Sequence, residues 1–173
     1  MTTRFISMAF TLSIALVGLS GCATHIGAPQ TREDFVSTMR AGGLFKNAET
    51  TIIRRPVNAV LADVKDFANQ CLNVSVTRPA NYAIKEVGGK TTYRTAVHSG
   101  QDGVSVLAMQ EDYNVKFERG APPGGIFTFA AEVRAAAGGH TQVDVYYITT
   151  KGSIAEALKK WASGDKQGCP SLK

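Results

Sequence analysis

In the segment Phe127-Thr-Phe-Ala-Ala-Glu-Val-Arg134, apolar residues alternate with polar or small ones. The apolar positions are Phe127, Phe129, Ala131 and Val133. Successive side chains of a strand point to opposite faces, so this period of two predicts a strand with one buried face. After the turn signal Gly138-Gly139 the alternation resumes at Val143, Val145 and Tyr147. Two strands joined by so short a turn predict an antiparallel hairpin.

The same period extends towards the N-terminus from this hairpin. The earlier segments with strand character are 74–77, 82–87, 93–97, 104–108 and 115–117. Turn signals rich in glycine and proline separate them at 88–89, 99–100 and 121–125. A β-branched run at 50–55 predicts one more strand before them. We therefore predict an antiparallel sheet of about five to seven strands.

Three segments have the period of a helix instead. Thr31 and Asp34 form a capping-box start, and Gly42-Gly43 ends this short helix. The clearest amphipathic helix follows Pro56, and its apolar stripe comprises Val57, Val60, Leu61, Val64, Phe67, Ala68 and Cys71. We place Asp63 on the solvent side of that helix. The last helix is predicted to begin at a Ser153–Glu156 capping box and to end at Gly164.

The order strand, helix, strands, helix predicts an α+β fold in which two amphipathic helices pack on a curved antiparallel sheet. This order is similar to that of helix-grip (START-like) domains, in which a curved sheet wraps a long C-terminal helix. A two-layer α+β sandwich, as in envelope-assembly lipoproteins, fits the pattern as well. Six aromatic residues suit either a ligand pocket between sheet and C-terminal helix or a filled core: Tyr93, Phe117, Phe127, Phe129, Tyr147 and Trp161.

The N-terminal segment has the character of an export signal. Arg4 precedes an apolar run from Phe5 to Gly18, and small residues follow, which is typical of a secretory signal peptide. Leu19-Ser20-Gly21-Cys22 resembles the lipobox of bacterial lipoproteins. The resemblance implies cleavage before Cys22 and diacylation of its thiol, which would attach the chain to a membrane. In Gram-negative lipoproteins an Asp after the cysteine usually causes inner-membrane retention, so Ala23 implies the periplasmic face of the outer membrane. In a Gram-positive source the same anchor would hold the domain outside the plasma membrane.

These signals divide the chain into four parts. Residues 1–21 are the signal peptide, 22–30 the lipidated cysteine and its tether, 31–48 a short helix and linker, and 49–173 a single α+β domain. With Cys22 acylated, Cys71 and Cys169 remain as an even pair in an exported protein. Such a pair predicts a disulfide, with two free thiols as the alternative.

The composition and motifs exclude several functional classes. The chain has 173 residues, 44% hydrophobic residues and a formal charge of +5, which excludes a disordered or fibrous chain. The positive charges are dispersed and the compartment is an envelope, so we expect no nucleic-acid partner. The three histidines and the cysteines lack metal-ligand spacing, and we expect neither metal nor cofactor.

For catalysis, only His98 near Asp102 offers an acid–base pair, and a surface histidine near a turn is the simpler interpretation. Glu111 and Asp112 lie at a predicted strand end, where we expect solvated carboxylates. They point to opposite faces of the strand and cannot share a proton. The sequence therefore favours a non-enzymatic interaction or accessory module of the cell envelope, which binds a protein or an envelope polymer. The alternative is a carrier or sensor of a small apolar ligand held between sheet and C-terminal helix.

Overall fold

The computed structural model describes residues 27–79, 88–100, 102–113 and 120–172. The predicted signal peptide, Cys22, the strand predicted at 82–87 and Phe117 lie outside the described residues. Within the described ranges, no helix combines the length and apolar character needed to cross a membrane.

Nine helices and strands make up the described fold. They are α1 Arg32–Arg40, β1 Lys46–Ile53, α2 Val57–Phe67, β2 Ser75–Arg78, β3 Gly89–Ser99, β4 Ser105–Tyr113, β5 Ile126–Ala136, β6 His140–Ile148 and α3 Gly152–Ala162. The six strands form one sheet in the order β1-β6-β5-β4-β3-β2, and every neighbouring pair is antiparallel. The predicted α+β class, an antiparallel sheet packed by amphipathic helices, is confirmed.

The first strand of the sheet pairs with the last. β1 lies beside β6 from the pair Lys46–Ile148 to the pair Ile53–Thr141. The strand begins four residues before the predicted start at Thr50, although these first residues have weak strand propensity. Pairing with β6 over the whole length of β1 supplies partners for the backbone of these residues, and this pairing forms the strand despite their weak propensity.

The two faces of the sheet are covered differently. On the front face, α2 and α3 bury the apolar residues of β3 to β6 in the main core, together with Val60, Val64 and Leu158. On the back face, α1 is the one helix of the described residues that contacts the sheet, and it buries Phe35, Val36 and Met39 against Ala130 and Tyr146. The short N-terminal helix thus docks on its own domain and covers only part of the back face.

A β-bulge at Thr128 interrupts the alternation predicted for β5. Met109 pairs with Phe129 and Gln110 with Phe127, so Thr128 has no partner residue on β4. The extra residue sends Phe127 to the back face, where its ring centroid lies 6.4 Å from that of Phe35. The prediction that Phe127 shares a face with Phe129 is therefore wrong.

The helix ends agree with the sequence in one case and differ in another. At α1 the capping box is confirmed: the Asp34 N–H donates to Thr31 Oγ1 at 3.0 Å, and the Thr31 N–H donates to Asp34 Oδ2 at 3.2 Å. At α3 the prediction is wrong, because the 3-10 turn Thr149–Lys151 runs directly into Gly152 and places Ser153 inside the helix.

The C-terminal tail packs against α2 and the core. A π-helical turn, Ala68–Leu72, continues α2 and buries both Cys71 and Leu72. The sulfur atoms of Cys71 and Cys169 are 1.99 Å apart, the distance of a disulfide, as the pairing of the two cysteines predicts. The Tyr93 hydroxyl donates to the Leu172 carbonyl at 2.7 Å. Side chains of the sheet and of the second helix therefore both hold the tail.

Candidate functional site

The space between the sheet and α3 is filled by side chains in the part of the chain described. Tyr93, Phe129, Tyr147 and Trp161 are 1%, 0%, 8% and 4% exposed and belong to the main core. Phe127 belongs instead to the smaller cluster beneath α1. The six aromatic residues suit either a ligand pocket or a filled core, and these four lie in a filled core.

A buried ion pair closes the core at the end of β4. Glu111 is 1% exposed, and the Lys151 ammonium lies 2.5 Å from its Oε1 atom. The Thr128 hydroxyl donates to the same oxygen at 2.9 Å, and the Tyr113 hydroxyl donates to Oε2. The Lys151 Nζ atom is also 5.3 Å from the centroid of the Tyr93 ring. Glu111 is thus a buried and fully partnered carboxylate, whereas the position of a strand end predicts a solvated one.

Asp112 points the other way, as the alternation predicts. It lies on the back face, where Arg94 Nη1 is 2.8 Å from its Oδ2 atom. The two neighbouring acids are therefore separated by the sheet and do not form a catalytic dyad.

A second charged cluster holds α2 to its surroundings through Asp63. Arg55 Nη1 lies 2.7 Å from Asp63 Oδ2, and Lys166 Nζ lies 2.6 Å from Oδ1. Burial raises the pKa of Asp63, but hydrogen bonds from Lys166 and Arg55 outweigh it and bring the pKa below its usual value. Asp63 is 6% exposed, so its predicted place on the solvent side of α2 is wrong.

A third polar contact lies between β1 and α3. The Tyr147 hydroxyl donates to Glu49 Oε1, and Lys159 Nζ donates to Glu49 Oε2 at 2.9 Å. Burial, together with the carboxylate of Glu49, raises the pKa of Tyr147 to about 12. Tyr147 therefore stays a neutral donor, and this contact holds α3 to the edge strand.

Among the described residues, nothing covers the back face of the sheet on either side of α1. The first groove has a volume of about 290 Å³ and crosses β3, β4 and β5. The residues that line it include Arg32, Arg94, Ala96, His98, Gln110 and Phe127. Two of these are held from the loop before β5: Arg94 donates to the Gly124 carbonyl at 3.2 Å, and Gln110 donates to the Gly125 carbonyl at 2.9 Å. This groove therefore has an apolar floor and a fixed rim of cationic and amide groups.

The second groove lies on the other side of α1, over β5, β6 and β1. Its volume is about 360 Å³, and its lining includes Arg40, Ala48, Thr50, Arg134, Asp144 and Tyr146. Asp144 binds Arg134 and accepts a hydrogen bond from the Thr50 hydroxyl at 2.6 Å. Arg40 donates to the Tyr146 hydroxyl at 2.9 Å and to Glu132 at 2.6 Å. Arginine and carboxylate side chains therefore lie side by side in this groove, which suits recognition of a polar chain.

The acid–base pair considered from the sequence does not come together. His98 is exposed on the wall of the first groove, and neither a hydrogen bond nor an ion pair joins it to Asp102, which is also described. Among the described ranges, no group of three histidine, cysteine or acidic side chains is arranged to hold a metal ion.

The charged clusters around Glu111 and Asp63 could not be predicted from the sequence, and the reason is the same for both. Glu111 meets Lys151, and Asp63 meets Arg55 and Lys166, only after the strands and the C-terminal tail have packed. One signal in the sequence indicates the first cluster. Glu111 follows Leu107 and Met109 at intervals of two, so an acid occupies a position where the alternation predicts an apolar residue.

No protein-family model matches the chain, and a search of curated proteins finds no match.

Proposed function

We propose that this chain is a lipid-anchored, non-enzymatic module of the cell envelope. Within this proposal the chain is cleaved before Cys22, and the acylated Cys22 is held at the periplasmic face of the outer membrane, as the lipobox resemblance implies. The domain then binds an envelope protein or polymer through the two grooves on the back of its sheet.

The unequal covering of the two sheet faces carries this proposal. The front face is packed against α2 and α3, and large side chains occupy the volume that a small apolar ligand would need. The back face leaves arginines, an amide and a histidine accessible beside α1. Open polar grooves favour an extended partner that lies across the sheet over an enclosed small molecule.

Site-specific photo-crosslinking in living cells tests the binding surface. A photoreactive residue would replace Ala96 in the first groove or Thr50 in the second, since both positions are exposed. Asn58, exposed on α2, provides the matched control on the opposite side of the domain. We expect a crosslinked product, either a discrete protein band or a heterogeneous polymer adduct, from the groove positions alone. Equal products from Asn58, or none from either groove, would contradict the proposal.

The anchor is tested separately by the intact mass of protein extracted from membranes. We expect loss of residues 1–21 and the added mass of acyl chains. The Cys22→Ala variant should lack both changes, because the thiol that carries the lipid is gone. Wild-type protein without acyl mass would overturn the anchor and leave the crosslinking result to decide the binding surface.

A further inference from the structure

Two large apolar side chains are exposed to solvent in the segment between α1 and β1. Leu44 is 81% exposed and Phe45 is 67% exposed, more than any other large hydrophobic residue in the described part of the chain. We refer to residues 42–45 as the apolar loop. Adjacent exposed leucine and phenylalanine side chains are a feature of interaction sites, because they gain stability only when another apolar phase covers them.

The backbone of the apolar loop is held in a fixed shape. The Lys46 N–H donates to the Gly43 carbonyl at 3.2 Å, and the Thr149 N–H donates to the Phe45 carbonyl at 3.1 Å. Phe45 has a φ of +65°, a left-handed conformation that is unfavourable for a bulky residue. Strained residues of this kind concentrate at functional segments.

The charge around the loop favours a phosphate-rich surface. From Phe35 to Ala48 the chain carries two cations, Arg40 and Lys46, and no acidic residue. Arg40 is half-exposed even though it pairs with Glu132. A pair of apolar side chains flanked by cations matches the interfacial layer of a bilayer, where acyl chains lie beneath anionic phosphates.

The position of the loop in the chain places it within reach of the same membrane as the anchor. Cys22 precedes Arg32 by ten residues, which span at most about 33–36 Å when extended. The nine residues of α1 add about 13 Å before the loop begins. A domain tethered so closely to a bilayer meets that surface continually, so a weak apolar contact is sufficient to orient it.

We propose that the apolar loop inserts Leu44 and Phe45 into the interfacial layer of the bilayer, with Lys46 and Arg40 next to the lipid phosphates. This inference rests on the proposed function for the identity of the anchored membrane. The contact supplements the acyl chains and fixes the orientation of the domain, so that the grooves on the sheet face a defined direction.

Fluorescence quenching by brominated lipids tests this contact. Mature protein carrying Phe45→Trp would be purified from membranes and reconstituted into vesicles of phosphatidylethanolamine with a minor fraction of phosphatidylglycerol. Ile52→Trp is the matched control, because Ile52 is 52% exposed near the other end of β1. The native Trp161 is 4% exposed, and the wild-type signal provides the background to subtract.

We expect Phe45→Trp to emit at shorter wavelength in vesicles and to lose about half its emission with brominated acyl chains, since interfacial side chains lie about 5–10 Å deep. Ile52→Trp should show neither change. A blue shift without quenching would mean that a second copy or another protein covers the loop, and it would overturn the proposal. Quenching of both positions would also overturn it, because the contact would then not be specific to the loop.

The intact mass of the same preparation separates this inference from the proposed function. Acylated protein with an unquenched Phe45→Trp signal overturns the loop contact and leaves the anchor standing. Unacylated protein with a quenched signal overturns the anchor and supports the loop contact.

Discussion

The ammonium group of Lys151 lies 2.5 Å from a carboxylate oxygen of Glu111, and both residues are buried. Lys151 comes from the turn before α3, and Glu111 comes from the end of β4. The pair therefore joins the C-terminal helix to the middle of the sheet. Charges buried in this way are tolerated because each compensates the other, and loss of one leaves the other without a partner of opposite sign.

Replacement of Lys151 by methionine should lower the free energy of unfolding by about 3–5 kcal/mol, because Glu111 is then buried without its counter-charge. Urea denaturation followed by circular dichroism measures the change. The Glu111→Gln/Lys151→Met double variant is the control, and it should be more stable than Lys151→Met alone. Glu111→Gln alone is measured as well. If the stability losses of Lys151→Met and Glu111→Gln simply add in the double variant, the two groups are not energetically coupled.

The bond between Cys71 and Cys169 closes a loop with a sequence separation of 98 residues. Chain-entropy arguments give about 4–5 kcal/mol of stabilisation for a loop of this size. The Cys71→Ala/Cys169→Ala double variant should lose a large part of that amount in chemical denaturation. Wild-type protein treated with a reductant should show a similar loss, and the variant should not respond to the reductant. A reductant response in the variant would show that the loss does not come from this disulfide.

The stability of the domain should fall in acid through Asp63. Its pKa in the folded chain is lowered, so its contribution is fully present above the unfolded pKa of about 4 and is lost as the pH falls through the folded value. Free energies of unfolding from pH 7 downwards should therefore decline less steeply in Asp63→Asn than in wild type. Asp165→Asn, an exposed position without an ion pair in the described ranges, should retain the wild-type slope. Equal slopes in all three proteins would contradict the assignment.

Much of the sheet could be predicted because it depends on local pattern. The alternation at Tyr93–Val97 and Val143–Tyr147 marks strands that the structure contains. Gly42-Gly43 ends α1, and both residues have positive φ angles. These features are set by side-chain period and by backbone conformations that only certain residues favour, so a single stretch of sequence contains them.

The remaining features depend on pairings between distant segments. The N-terminal half of β1 exists because β6 lies beside it, and no property of Lys46–Glu49 predicts that partner. The bulge at Thr128 arises where β4 and β5 fall out of register, which neither strand shows alone. The positions of the two grooves depend on where α1 docks on the back face. The cap and the glycine stop predict the short helix, but no local pattern predicts the face of the sheet on which it docks.

Gly125 should be the least replaceable glycine of the loop before β5. A Cβ atom there would lie 2.1 Å from the Glu111 carbonyl oxygen, and its φ of +104° is unfavourable for other residues. Gly120 is the matched control, because its φ is +90° and a Cβ atom would meet no atom of the described residues within 4 Å. Gly120→Ala therefore bears only the conformational cost, about 1–3 kcal/mol.

Gly125→Ala bears that cost and a steric one of about 1–3 kcal/mol more, because the backbone of β4 must move. The movement would also displace Glu111 from Lys151. We expect thermal unfolding to show a larger decrease in midpoint for Gly125→Ala than for Gly120→Ala. Equal decreases would mean that β4 yields without cost at this point, and that the close packing of the turn against Glu111 is not what fixes the buried ion pair.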